Sequence, residues 1–228
     1  MSSNDAWVMV GGIRGTPDAA AADLFQRMAL AAVPDMDMVT PIEELCDLAG
    51  VPDVSALLKT LEVVSHTTVS LMAAPEGWLC SGGSLISWSV SGAHVRWRVS
   101  GHVHAAFTTD DAPSLATLLP FVGKPAKGAR AMRLFDIFHR AASRERPFEI
   151  DIEDALRLLD ASGMRSDFSR HVIEPAVTEV AICAPFLTSI EVGLGRGRER
   201  GRPIRTVSCR AAFRHAPLSA AGFIRAER

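Results

Sequence analysis

Two clusters of side chains have the types and spacing to grip a nucleic acid. Arg165 and Ser166 stand just ahead of a stretch in which Asp167, Arg170, His171, Glu174 and Thr178 fall at intervals of 0, 3, 4, 7 and 11 residues. Those intervals put the five on one face of a helix. An arginine fork at the start of such a helix matches the O6 and N7 acceptors of guanine, and each good two-point base contact discriminates by about 1–3 kcal/mol. A serine and the helix N-terminus suit a phosphate. The second cluster is Arg196, Arg198, Arg200 and Arg202, alternating with glycine and glutamate, with Arg205 close behind. Arginines on such backbone suit phosphates or a narrow minor groove.

Bond-breaking chemistry finds less support. His102-Val103-His104 has the His-hydrophobe-His pattern of metal-dependent nucleases that use a tyrosine nucleophile, but the chain contains no Tyr. Alternation predicts a strand here, with both imidazoles as a surface pair. Gly193-Leu194-Gly195-Arg196-Gly197 lacks the Gly-Lys-Ser/Thr that a phosphate-binding P-loop requires. Cys80-Ser-Gly-Gly-Ser84 reads as a strand-to-turn segment, and Asp110-Asp111 as a cap for a helix near Ser114. No catalytic triad or zinc-ligand spacing occurs. The expectation is nonenzymatic action with no metal and no cofactor.

The elements that position the two clusters come from a repeat. Ala21, Leu24, Phe25, Met28, Ala31 and Ala32 recur 110 residues later as Ala131, Leu134, Phe135, Phe138, Ala141 and Ala142. The same offset sets Ile42-Glu43-Glu44-Leu45 on Ile152-Glu153-Asp154-Ala155, an offset of 111 sets Leu57 and Leu61 on Phe168 and Val172, and three matches in order point to a duplication. Each copy reads as a helix, a short strand, two close helices and a β part. In the first copy Pro41 starts the second helix, Gly50 stops it, and the third spans about 52–64. Strand segments at 67–72, 78–88 and 95–99 then form a meander, with Arg96 and Arg98 on its outer face. In the second copy Asp151 caps the second helix and Ser162-Gly163 ends it. The third runs from 167 to 182 with Phe168, Val172, Ala176 and Val180 inward, and Pro175 should kink it. A hairpin with the arginine-rich tip follows. This order predicts an α+β chain of two tandem winged-helix domains. The first spans 1–122, 123–128 is a Gly/Pro/Lys linker, and 129–228 is the DNA-reading domain.

Charge agrees with that division. Residues 1–123 carry five Lys and Arg against 13 Asp and Glu, a net of −8, whereas residues 124–228 carry +6 with 17 arginines. A polyanion partner for the second half follows. The helix of the first half that matches the reading helix holds only Lys59 among its acidic and apolar neighbours, so packing or self-association is its expected task. No apolar run approaches the 18 or so residues of a membrane span. The N-terminus lacks a signal-peptide pattern, which makes the cytoplasm the expected location. The four cysteines, at 46, 80, 183 and 209, are far apart and read as reduced thiols.

Residues 129–213 resemble the C-terminal winged helix of Rep-type plasmid replication initiators, the theta-replication group that binds iteron repeats. The segment Met164-Arg-Ser-Asp-Phe-Ser-Arg-His-Val-Ile-Glu-Pro-Ala-Val-Thr-Glu-Val180 carries the resemblance, and the Arg133-Leu134-Phe135 helix, the Gly/Arg hairpin and the two-copy layout extend it. The resemblance implies binding to origin direct repeats, origin opening and recruitment of the host initiator and replicative helicase. It also implies a monomer–dimer equilibrium, here through the N-terminal domain, with autorepression by dimers. Two other readings remain at this point: a winged-helix transcriptional repressor without a replication role, and a protein-interaction module with weak DNA binding.

Overall fold

Short polar residues set where the helices begin. In a computed structural model, which describes residues 7–124, 126–164, 167–197 and 203–214, Asp18 accepts from Ala21 N at 2.8 Å and opens α1, Ala19–Ala31. Asp53 does the same for α3, Val54–His66, through Ala56 N. Strand β2, Met38–Pro41, leads into α2, Ile42–Ala49, which ends on Gly50 in the left-handed region at φ 63°. The second copy repeats this layout. Helix α6, Ala126–Ser143, is followed by strand β7, Phe148–Asp151, and by α7, Ile152–Leu158, with Asp151 accepting from Glu153 N. Helix α6 therefore starts inside the stretch read as a linker. Met38 and Phe148, Pro41 and Asp151, and Ile42 and Ile152 all keep the spacing of 110.

The rest of the first half comprises β1, Trp7–Arg14; β3, Thr68–Ala74; β4, Trp78–Ser84; β5, Ser87–Ser91; β6, His94–Arg98; α4, Gly101–Thr108; and α5, Leu115–Leu118. The second half closes with a π-helical segment, Phe168–Ile173, that runs into α8, Glu174–Cys183, and with strands β8, Leu187–Arg196, and β9, Ile204–Phe213. The fold is mixed α+β. The strands form three antiparallel three-stranded sheets, ordered β1-β3-β4, β2-β6-β5 and β7-β9-β8. The last two correspond strand for strand. In each, the short strand between the first two helices pairs with the last strand of the hairpin.

Three expectations fail locally. Residues 78–88 are not one strand of a meander. Leu85 and Ile86 are buried, Leu85 N donates to Thr67 O at 3.0 Å, and the chain crosses there from one sheet to another. His102 and His104 lie on α4, not on a strand. Ser100 caps that helix by accepting from Val103 N, and positions two apart on a helix diverge by about 200°. Asp111 caps nothing. It pairs with Arg140 and Arg144, while Ser114 caps α5 itself. Strand β1, which had no counterpart in the sequence reading, is the outer strand of the sheet that α6 covers.

The repeated apolar positions are the centre of the molecule. Leu24, Phe25 and Met28 of α1 and Leu134, Phe135 and Phe138 of α6 are all buried, each worth about 1.5–3 kcal/mol. The apolar core is continuous through both halves. The sheet β1-β3-β4 supplies much of the join. Trp7 packs on Phe148 with ring centroids 5.0 Å apart, and Arg133 Nε donates to Gly11 O at 2.9 Å. Arg140, 1% exposed, donates to Asp136 Oδ1, Asp111 Oδ1 and Val8 O at 2.5, 2.6 and 3.2 Å. The turn between β3 and β4 meets α7. Gly77 sits there at φ +72°, where a Cβ would come within 2.8 Å of Leu158 N, so only glycine lets the two backbones touch.

Candidate nucleic-acid interface

The candidate face is built around Pro175. With no N–H to give, proline breaks the regular ladder. The chain widens one turn ahead of it, and Glu174 N donates to Ser169 O, five residues back. The expected kink is thus a π-helical turn joined to an α-helix. Phe168, Val172, Ala176 and Val180 point into the core as the spacing predicts, with Ile173 beside them and Val177 half-buried. The other side is open to solvent at Asp167, Arg170, His171, Glu174 and Thr178. The side chains of Arg170 and His171 make no hydrogen bond or ion pair among the described residues. Glu174 does not neutralise Arg170. Its Oε1 accepts from Ser169 Oγ at 3.3 Å, and its carbonyl accepts from Thr178 Oγ1 at 2.8 Å. The widened turn therefore presents a guanidinium and an imidazole side by side, with their hydrogen-bonding capacity unspent. Arg165 and Ser166 lie outside the described residues.

The hairpin stands beside this helix in the sequence order. Val207, Cys209 and Ala211 of β9 face inward. Burial pushes the Cys209 thiol up to about 12, so it is no nucleophile at neutral pH. Arg196 ends β8 and Arg205 lies near the start of β9, both exposed, and Gly197 N donates to Pro203 O at 2.9 Å across the base of the tip. Arg198, Arg200 and Arg202 lie outside the described residues.

No protein-family model matches this chain, and no curated protein matches it. Among solved structures it is similar to the Pi initiator protein in complex with iteron DNA. That likeness has a TM-score of 0.41 and 14% sequence identity, and spans 95% of this chain and 100% of the other.

The structure also sorts the arginines, which charge counting treats alike. Arg130 donates to Leu159 O and Asp160 O, and Arg133 to Leu158 O, so both close the open end of α7. Burial pulls the Arg133 guanidinium below its ordinary range. Arg140 and Arg144 belong to the buried join, and Arg157 pairs with Asp154 and lies over the Trp78 ring. Five of the second half's arginines thus hold the fold together. Charge patterning could have separated some of them, since Asp136 and Arg140 are an i, i+4 pair and Asp154 and Arg157 an i, i+3 pair. Two exposed arginines that sequence reasoning passed over, Arg146 and Arg210, flank a cleft between the end of α6 and β9. Among the described residues no helix is long and apolar enough to cross a membrane.

Proposed function

We propose that this chain is a sequence-specific duplex-DNA-binding protein that initiates plasmid replication in the manner of Rep-type initiators, each half being a winged helix. The reading rests on one observation. Arg170 and His171 are exposed and unpartnered among the described residues, on a turn whose opposite side is locked into the core by Phe168 and Val172. A base-reading helix needs that combination: a rigid seat and donors left free for the groove. In this account α7 and the 168–183 helix form the helix-turn-helix. Arg170 addresses a guanine, while Arg165, Ser166 and His171 serve bases or phosphates at the helix start. The β8–β9 hairpin is the wing, and Arg196, Arg198, Arg200, Arg202 and Arg205 contact the backbone or the minor groove. Residues 1–122 act as the accessory and dimerising domain, 123–128 as the linker and 129–228 as the reader. Bound to origin direct repeats, the protein promotes strand opening and recruits the host initiator and helicase without chemistry of its own.

The test footprints the full chain on the DNA flanking its gene. Protection of several direct repeats beside an A·T-rich segment is the expected result; protection of a single inverted repeat makes the protein a repressor instead. On the protected duplex Arg170→Ala should weaken binding about five- to 160-fold, from the 1–3 kcal/mol of one two-point base contact. On random duplex the loss should stay within about twofold. Equal loss on both moves Arg170 to the phosphates, and no protected site at moderate salt refutes the DNA reading.

A further inference from the structure

The first half is strongly acidic, yet it contains a cleft of about 390 Å3 with no carboxylate on its wall. The cleft lies where the chain crosses from β4 to β5 and where β6 passes into α4. Its shape follows from the apolar pair at the crossing. Leu85 and Ile86 turn inward, so their neighbours Ser84 and Ser87 are left at the surface. Arg98 stands directly opposite Ser87 in the β5–β6 register. Ser100 caps α4 and His102 follows in its first turn, while Gly82 and Gly83 line the rim without side chains. Arg98 and His102 are both exposed, and their side chains have no hydrogen bond or ion pair among the described residues. Asp35 lies beside the start of α4, where its Oδ1 accepts from Gly101 N at 3.0 Å, and it does not line the cleft.

We propose that this cleft is a phosphate-binding site. The Arg98 guanidinium offers two parallel N–H donors to a tetrahedral anion. The hydroxyls of Ser84 and Ser87 and an imidazole N–H of His102 add uncharged or weakly charged donors around it. A carboxylate that faces the guanidinium fork has both coplanar oxygens turned toward it, whereas a tetrahedral phosphate keeps further oxygens turned toward the hydroxyls. The phosphate comes either from a nucleic-acid backbone or from a free phosphate ester, and the donor set is the same for both. The site does not depend on the helix at 168–183.

The test titrates the full chain with inorganic phosphate and follows the amide resonances of Gly82, Gly83 and His102. Saturable shifts there are expected in the wild type and equally in Arg170→Ala. In Arg98→Ala the affinity should fall roughly tenfold or more, as loss of charge-assisted hydrogen bonds requires. Ser87→Asp, which keeps Arg98 but adds a negative charge, should weaken binding similarly. Unmoved amides, or an Arg98→Ala protein that binds phosphate as well as the wild type, would overturn the proposal. Duplex DNA is then added to the phosphate-loaded protein. Displacement assigns the site to the backbone of bound DNA, and retention assigns it to a free phosphate ester; either result keeps the site. If the protein leaves no footprint on any duplex, the phosphate titration still reads out.

Discussion

Replacing Arg140 by Met tests whether the two halves stand or fall together. The methionine preserves most of the apolar stem and removes the charge. Arg140 is 1% exposed and Asp136 is fully buried, so the change leaves Asp136 without its counter-ion and Asp111 with only Arg144. It also strips a donor from Val8 O on β1. Breaking a buried pair by removing one partner costs about 3–5 kcal/mol. In a chain of this size each kcal/mol moves Tm by roughly 2–4 °C, so the midpoint should drop by roughly 6–20 °C. The assay exploits an accident of composition: all four tryptophans, at 7, 78, 88 and 97, lie in the first half. Trp7 touches Phe148 and Arg140 and Trp78 lies under Arg157, so the measurement is made in a Trp7→Phe, Trp78→Phe background, where emission from Trp88 and Trp97 follows the first half while far-ultraviolet circular dichroism follows both. The substitution sits on α6 of the second half, yet both signals should fall together in one transition. A loss below about 1 kcal/mol would show that the buried pair is dispensable. A circular-dichroism transition that moves while the emission transition stays would show that the halves unfold separately, and the reasoning from a shared core would fail.

Two further outcomes follow from burial. Desolvation lowers the pKa of His139 below the ordinary 6.5, so over that interval the unfolded chain binds the extra proton. Stability is then fully present above 6.5 and is lost as pH falls toward the folded value; His139→Gln should flatten that slope in urea titrations, and an unchanged slope would absolve this histidine. Cys80 is exposed and Cys209 is buried with its thiol pushed up to about 12, so a neutral-pH alkylating agent should modify Cys80 quickly and Cys209 only on unfolding, as peptide mass mapping would show.

The sequence made the repeat legible because helix faces and caps are local. The apolar intervals of α1 and α6, the left-handed stop at Gly50, the cap at Asp151 and the inward stripe at Phe168, Val172, Ala176 and Val180 all depend on neighbours a few residues away. The open face at Arg170 and His171 is the complement of that stripe and was legible with it. What escaped depends on distant cover. Strand β1 is buried on most of its length because α6 and β3 lie against it, and its Gly11-Gly12 pair hides its extended character. His102 and His104 fit an alternating pattern as well as a helical one, and Ser100 decides between them only once the chain has turned. Arginine count predicted a basic second half, but whether a guanidinium faces water or the interior is settled by what lies across from it. The same limit hid the cleft at Arg98 and His102, whose walls come from two chain segments brought together by the crossing at Leu85 and Ile86.

The join through β1-β3-β4 has a practical consequence. Cutting the gene at the Gly/Pro/Lys stretch would not release two well-behaved pieces. The rear fragment would bare the side of α6 that Trp7 and Val8 shield, together with the Arg140 guanidinium and the Asp136 carboxylate, both meant to stay dry, and the front fragment would bare the matching sheet and leave Asp111 without either arginine. Anyone seeking a minimal reader for crystallisation should keep the first strand attached, or supply it as a separate peptide.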